Sequence, residues 1–193
     1  MAHAGTRVGV LALQGDFEAH SRAIERAGAQ PVEVRTSAEL DSVDGLIIPG
    51  GESTTMLKLI NLEGLFEPLR SYGLSRPIFG TCAGAILLAT GVTNPAQASL
   101  GLIDMDVERN AYGRQVDSQI GRLKLAADGA EMEVVFIRAP IIRRMGKHTR
   151  VLAEYHGDPV LVEQGRHMAA TFHPELTRDS TIHRMFVDKI AHG

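Results

Sequence analysis

Three short stretches of this chain hold residue types that do chemistry. The first is Gly80-Thr81-Cys82-Ala83-Gly84, which has the G-x-nucleophile-x-G spacing of a nucleophile elbow. At such an elbow a strand turns sharply into a helix, and flanking glycines avoid collisions that any side chain would cause. Cys82, the only cysteine, would stand at the first turn of the helix, where unpaired N–H groups and the positive end of the dipole favour thiolate. A lone cysteine among small apolar residues is equally the pattern of a buried, inert thiol. The second stretch is His173-Pro174-Glu175. In extended backbone, side chains two apart share a face, so the imidazole and carboxylate suit a general base and its orienter. A surface His-Glu pair, or half of a metal site, fits the same letters. A metal would need a third ligand, and none of the other histidines stands at ligand spacing to this pair. The third stretch, Pro49-Gly50-Gly51-Glu52-Ser53-Thr54-Thr55, is either a cradle of backbone N–H groups for an anion or oxyanion, or a plain tight turn. No Gly-Lys-Ser/Thr follows it, so it is not a phosphate loop.

The elements around these stretches predict how they are positioned. Residues 7–13 read as a buried strand, and Asp16 as the N-cap of a helix over 17–27 that stops at Gly28. A strand at 31–35, a polar connection at 36–43 and a buried strand at 45–48 follow. Ser/Thr caps then open a helix at 56–62, and a second helix spans 65–72. The strand 78–79 after Pro77 leads through the Cys82 elbow into a helix at 83–89, closed by Gly91. After a loop at 94–99 come short strands at 102–107, 119–125, 134–137, 149–154 and 159–163, which predict antiparallel or mixed additions with hairpins. A last apolar strand, 168–172, runs into His173, and an amphipathic helix near 180–190 ends the chain. The βαβ order argues for an α/β fold of three layers, with a mostly parallel central sheet flanked by helices. Ligands in such sheets bind beyond the carboxyl ends of strands, where all three chemical stretches fall.

Composition narrows the class. The 193 residues are 44% hydrophobic and 22% charged with a formal net charge of −3, as expected for one globular domain over 1–193. No basic run suggests a nucleic-acid surface, and no apolar stretch suits a membrane helix. A single cysteine and a start without the apolar segment of a signal peptide predict a reducing, cytoplasmic setting.

The elbow with His173-Pro174-Glu175 resembles the class I, triad-type glutamine amidotransferases, whose fold is flavodoxin-like. Leu13-Gln14-Gly15-Asp16, the Pro49-to-Thr54 turn, Glu108-Arg109-Asn110-Ala111-Tyr112-Gly113-Arg114-Gln115 and Phe136-Ile137-Arg138-Ala139-Pro140 are similar, in combination, to the glutaminase subunits of the two-component pyridoxal 5′-phosphate synthases. Two positions depart from that pattern: Ala85, where a bulkier Met is usual, and Gln119, where an aromatic is usual. The resemblance implies hydrolysis of L-glutamine to glutamate and ammonia by Cys82, His173 and Glu175. It implies an oxyanion hole from Gly51 and Ala83, and glutamine binding by Gly50, Gly51, Glu52, Arg109, Ile137 and Arg138. It further implies that the ammonia passes to a (β/α)8-barrel synthase subunit within a large hetero-oligomer, with the Gln14-Gly15-Asp16 loop and the first helix as candidate contacts. No metal and no cofactor, pyridoxal phosphate included, is expected on this chain.

Overall fold

A computed structural model describes residues 5–111 and 118–193. Tyr112, Gly113, Arg114 and Gln115, which carry part of the family resemblance, lie outside the described residues. The main sheet has seven strands: β1 (Arg7–Leu11), β2 (Gln30–Val34), β3 (Gly45–Ile48), β4 (Ile78–Thr81), β10 (Arg150–Tyr155), β11 (Asp158–Gln164) and β12 (His167–Ala170). Their order is β10-β11-β12-β4-β3-β1-β2; β12, β4, β3, β1 and β2 run parallel, and β10 and β11 are antiparallel additions at one edge. A second sheet joins β5 (Ala89–Thr93), β6 (Ile103–Glu108) and β9 (Ile141–Met145), and β7 (Ser118–Lys124) pairs with β8 (Glu131–Ile137) as a hairpin. The helices are α1 (Phe17–Arg26), α2 (Ser37–Asp41), α3 (Ser53–Leu62), α4 (Phe66–Ser75), α5 (Ala83–Leu88) and α6 (Thr181–His192).

Both faces of the inner parallel strands β3 and β4 are covered, and for that reason they read as short apolar runs, whereas β2 at the edge keeps Gln30 and Glu33 exposed. Alternation sends Leu46 and Ile48 into one core cluster and Ile47 into the other; Ile78 and Phe79, and Ala169 and Met168, divide the same way. Asp16 caps α1, its Oδ1 accepting from Ala19 N at 3.1 Å, and Ala19, His20, Ala23 and Ile24 form the buried face.

Several local expectations are corrected. The polar stretch 36–43 contains α2, held by a capping box in which Thr36 accepts from Glu39 N and Glu39 accepts from Thr36 N. Helix α3 is capped by Glu52, whose carboxylate accepts from Thr54 N and Thr55 N, rather than by the Ser/Thr residues that follow it. Helix α5 ends at Leu88, so Gly91 lies inside β5 and is no helix stop. Strand β9 has no counterpart in the sequence reading. Of the later strands, β10 and β11 extend the main sheet in antiparallel fashion and β12 joins it in parallel, while β5 to β9 form the two smaller sheets.

The elbow glycines act through close approach. A Cβ on Gly84 would collide with Ile48 O, and one on Gly80 with the Gly84 backbone. The obstacle is main chain and cannot rotate away. Gly84→Ala is expected to lower the unfolding free energy by about 1–3 kcal/mol in urea titration, whereas Gly5→Ala, with open space around it, leaves the midpoint unchanged.

His167 provides a second test. Its Nδ1 accepts from Ile78 N at 3.2 Å, and burial, partly offset by backbone hydrogen bonds, holds its pKa down at about 4. An unfolded histidine titrates near 6.5, so between these values the unfolded chain binds a proton that the native chain refuses, and stability falls as pH falls. Between pH 7 and pH 5 the wild type should lose about 1–2 kcal/mol more than His167→Gln in urea titrations. Equal losses would remove His167 as a source of acid sensitivity.

Candidate active site

Strands β4 and β12 pair in parallel, Ala170 opposite Thr81, and Cys82 N donates to Ala170 O at 2.8 Å. The two chain segments leave the sheet side by side, so Cys82 and His173 enter one cleft although they are distant in sequence. Cys82 is the N-cap residue of α5, with φ 49° and ψ −105°. A non-glycine residue there costs on the order of 1–3 kcal/mol and persists only where the surroundings enforce it. The enforcing contacts are its own bond to β12 and the seating of Gly84 on β3. Arg138, on the opposite wall, also has positive φ, at 42°.

His173 Nδ1 lies 2.7 Å from Glu175 Oε1, and both residues are buried. The route to this pairing differs from the expectation. His173 is followed by a 3-10 turn over Pro174–Leu176, so the two side chains meet across that turn and not along an extended strand. His173 N donates to Val135 O at 2.8 Å, which ties the turn to β8. Burial pulls the His173 pKa down, but hydrogen bonding and charge from Cys82 and Glu175 outweigh it and push it up to about 10. Burial raises the Glu175 carboxyl, and the neighbouring His20 and His173 more than reverse that, leaving it below the usual carboxylate range. The arrangement holds an imidazolium between a sulfur and a carboxylate at neutral pH.

Gly50 and Gly51 form the facing wall. A Cβ on Gly50 would meet His173 Cε1 at 2.5 Å and Cys82 Cβ at 3.3 Å, so only glycine lets this turn close over the pair. Gly51 has φ +138° and lies against the Gln14 side chain. With its amide oriented to suit its surroundings, Gln14 donates to Glu52 O at 3.1 Å and accepts from Glu52 N at 3.2 Å, clamping the turn. Ala83 follows Cys82 as the first residue of α5 and is fully buried.

The cleft, of about 180 Å³, is lined by Gly51, Glu52, Cys82, Arg109, Ile137, Arg138 and His173 among others. Arg109 Nη2 donates to Thr54 Oγ1 at 2.7 Å and lies 3.3 Å from Glu52 Oε1. Glu52 itself is brought down to about 2: burial acts upward, and hydrogen bonds from Thr55 and Thr54 prevail. Ile137 presents its carbonyl to Cys82, with Sγ–O at 3.9 Å. The cleft therefore brings a thiol, an imidazolium, the Glu52 carboxylate and the Arg109 guanidinium into a small volume. Of the remaining sequence-predicted site residues, Gly50 packs against His173 and Cys82, Ala83 lies under the elbow, and Glu175 stays behind His173. Ser53, Ile86 and Asn110 also line the cleft, and none of them was among the binding residues expected from the sequence. Of the two departures from the family pattern, Ala85 is fully buried beneath the elbow and Gln119 Nε2 donates to Tyr155 Oη at 2.6 Å. No group of metal-binding side chains occurs among the described residues.

The sheet thus carries a cysteine elbow and a buried His-Glu pair side by side at the carboxyl edge of its parallel strands. Residues 10–192 match the SNO glutamine amidotransferase family, and the chain belongs to it. It is 60% identical over 190 residues to the pyridoxal 5′-phosphate synthase subunit PdxT of Solibacter usitatus, covering 95% of this chain and 99% of that protein. It is 52% identical to the PdxT subunit of Koribacter versatilis, covering 97% of each. A crystal structure of a glutamine amidotransferase superposes with a TM-score of 0.90 at 46% identity, covering 95% of this chain and 98% of that one. A putative GMP synthase component from Thermoplasma acidophilum, 18% identical with a TM-score of 0.71 and covering 96% of this chain and 94% of that one, shares the fold.

If the His173 imidazolium governs the thiol, His173→Gln should slow iodoacetamide alkylation of Cys82 at pH 7 by at least about tenfold, measured by mass spectrometry of the single cysteine. An unchanged rate would separate the two residues functionally.

Proposed function

We infer that this chain is the glutaminase of a pyridoxal 5′-phosphate synthase, hydrolysing L-glutamine to L-glutamate and ammonia for vitamin B6 biosynthesis. The observation that carries the reading is the Cys82, His173 and Glu175 convergence in a chain similar to PdxT subunits over nearly its whole length. In the mechanism, the Cys82 thiolate attacks the side-chain carboxamide carbon, and the oxygen takes up the negative charge. Backbone N–H groups of Gly51 and Ala83 hold that oxyanion, each worth about 3–4 kcal/mol of transition-state stabilisation. The His173 imidazolium gives its proton to the departing nitrogen, the C–N bond breaks, and ammonia leaves a γ-glutamyl thioester on Cys82. Neutral His173 then takes a proton from water, whose hydroxide adds to the thioester. Collapse returns thiolate and imidazolium and releases glutamate. Glu175 stabilises the imidazolium and keeps its Nδ1–H inward.

The substrate's α-carboxylate and α-ammonium need opposite charges at the far end of the cleft. Arg109 suits the carboxylate, which a guanidinium can grip through two N–H groups. Glu52 suits the ammonium, and backbone at Gly50, Gly51, Ile137 and Arg138 supplies the remaining polar contacts. The whole chain serves as one amidotransferase unit, and each step uses only its own side chains, backbone and water. Ammonia released into neutral water is mostly protonated and no longer nucleophilic, so the chemistry calls for an acceptor enzyme held close by. Its expected form is a (β/α)8-barrel synthase subunit in a large hetero-oligomer, in the cytoplasm.

Glutamate release from L-glutamine should rise sharply when the cognate synthase is added and vanish in Cys82→Ala. Release that needs Cys82 but ignores the synthase would keep the chemistry and reject the partner. For Arg109→Ala, the glutamine KM should rise far more than kcat falls; an unchanged KM would remove Arg109 from substrate binding.

A further inference from the structure

Behind Glu175 lies a pair of histidines that the mechanism above leaves unused. His20, on the buried face of α1, and His183, on α6, are 0% and 1% exposed. His20 Nε2 is 3.4 Å from Glu175 Oε2 and 3.2 Å from Thr81 Oγ1, and His20 Nδ1 is 3.0 Å from His183 Nε2. The row of groups from the thiol inward is thus Cys82, His173, Glu175, His20 and His183. Thr81 is the residue immediately before Cys82, so the second imidazole touches both the elbow and the carboxylate.

We propose that His20 and His183 are positioning residues of the triad: His183 fixes the tautomer of His20, and His20 presents an N–H to the second oxygen of Glu175. The inference rests on the glutaminase reading of Cys82, His173 and Glu175. Counting protons assigns the direction. Glu175 Oε1 is taken by the Nδ1–H of His173, and Oε2 is buried without a well-formed hydrogen bond. If His20 carried its proton on Nδ1, its bare Nε2 would accept from the Thr81 hydroxyl and offer no donor to Glu175 Oε2, which would then face a lone pair. His183 would then accept at Nε2, leaving its own N–H on Nδ1, an atom that is buried with no partner. Orphaned buried donors are rare and costly. With the opposite assignment, His183 Nε2–H donates to His20 Nδ1, and His20 Nε2–H points at Glu175 Oε2 and Thr81 Oγ1. The one orphan is then a lone pair on His183 Nδ1, the lesser cost.

The charged surroundings agree. Glu175 acts on His20 to favour its charge and His173 acts against it; Asp16, at the start of α1, favours it weakly. His183 faces His20 and, at longer range, Arg26, both of which disfavour its charge, and the edge of Phe79. Burial dominates for both rings and holds them neutral at working pH. A neutral donor fits this place. It steadies the Glu175 anion against the desolvation that raises its pKa, without competing for the negative charge that the His173 imidazolium needs.

The test uses the assembled synthase complex and glutamate release between pH 4 and 9, with thermal unfolding midpoints in parallel. His20→Leu should lower kcat by about tenfold or more with KM within about twofold, and move the acid limb upward by about one pH unit, because a Glu175 short of a donor takes up a proton sooner. His20→Gln, whose amide nitrogen reaches the place of Nε2, should recover most of kcat and the wild-type acid limb. His183→Leu should fall between. A His20→Leu enzyme with the wild-type kcat and limb overturns the proposal. So does a loss that tracks the unfolding midpoint, leaves the limb unmoved and is not recovered by His20→Gln. Cys82→Ala and Glu175→Gln separate the two levels: if either keeps wild-type activity the triad reading fails, and if both are inactive while His20→Leu is normal, only the present inference fails. Independently of any variant, nitrogen-15 NMR of histidine-labelled wild type should find His20 protonated at Nε2; protonation at Nδ1 alone would contradict the assignment.

Discussion

The parallel pairing of β4 with β12 is the constraint on which the site depends. Ala170 opposite Thr81, and the bond from Cys82 N to Ala170 O, set where the two segments leave the sheet. A slip of one residue would send the elbow to the other face of the sheet. The same pairing orients Cys82 in its strained conformation, since the bond to β12 fixes one side and the seating of Gly84 on β3 the other. The strained backbone is therefore sustained by ordinary sheet and helix packing, and the 3-10 turn after His173 needs to carry Glu175 only a short way to complete the pair.

Charge placement follows the same economy of distance. The cleft and its back wall hold several groups that would be unstable if buried alone: a carboxylate at Glu175, an imidazolium at His173, a guanidinium at Arg109. Each has an opposite or hydrogen-bonding partner. His173 is raised because Cys82 and Glu175 flank it, and Glu175 stays ionised because two imidazoles face it. Glu52 combines two tasks, capping α3 through Thr54 and Thr55 and meeting Arg109. The same residue thereby fixes the mouth of the cleft to the helix behind it.

Much of this was legible in the sequence because it is local. The inner parallel strands announce themselves as apolar runs, and Asp16 and the elbow glycines by chemistry that acts over a few residues. The Cys82, Gly50-Gly51 and His173-Glu175 stretches were visible for the same reason. What escaped is what depends on distant packing. Helix α2 hid in a polar segment because its one buried side chain, Leu40, gives no periodic signal and its capping box does the stabilising. Gly91 resembled a helix stop because a glycine letter does not reveal that the chain has already become β5. His20 carried no signal of its own in the sequence, and only the docking of α1 against the turn after β12 brings it to Glu175. His173 and Glu175 were paired for a reason that the 3-10 turn replaces: the contact survives, and its geometry is different.

The central claim is that Cys82 forms a covalent bond to the substrate's side-chain acyl group. The most direct measurement is peptide-level mass spectrometry of the synthase-bound chain, quenched in acid during turnover of L-glutamine. The account predicts a glutamyl adduct on the peptide that contains Cys82, present only with glutamine, chased by further incubation in water, and absent when His173 or Cys82 is replaced. Steady glutamate production with the adduct on another residue, or undiminished in Cys82→Ala, would contradict it.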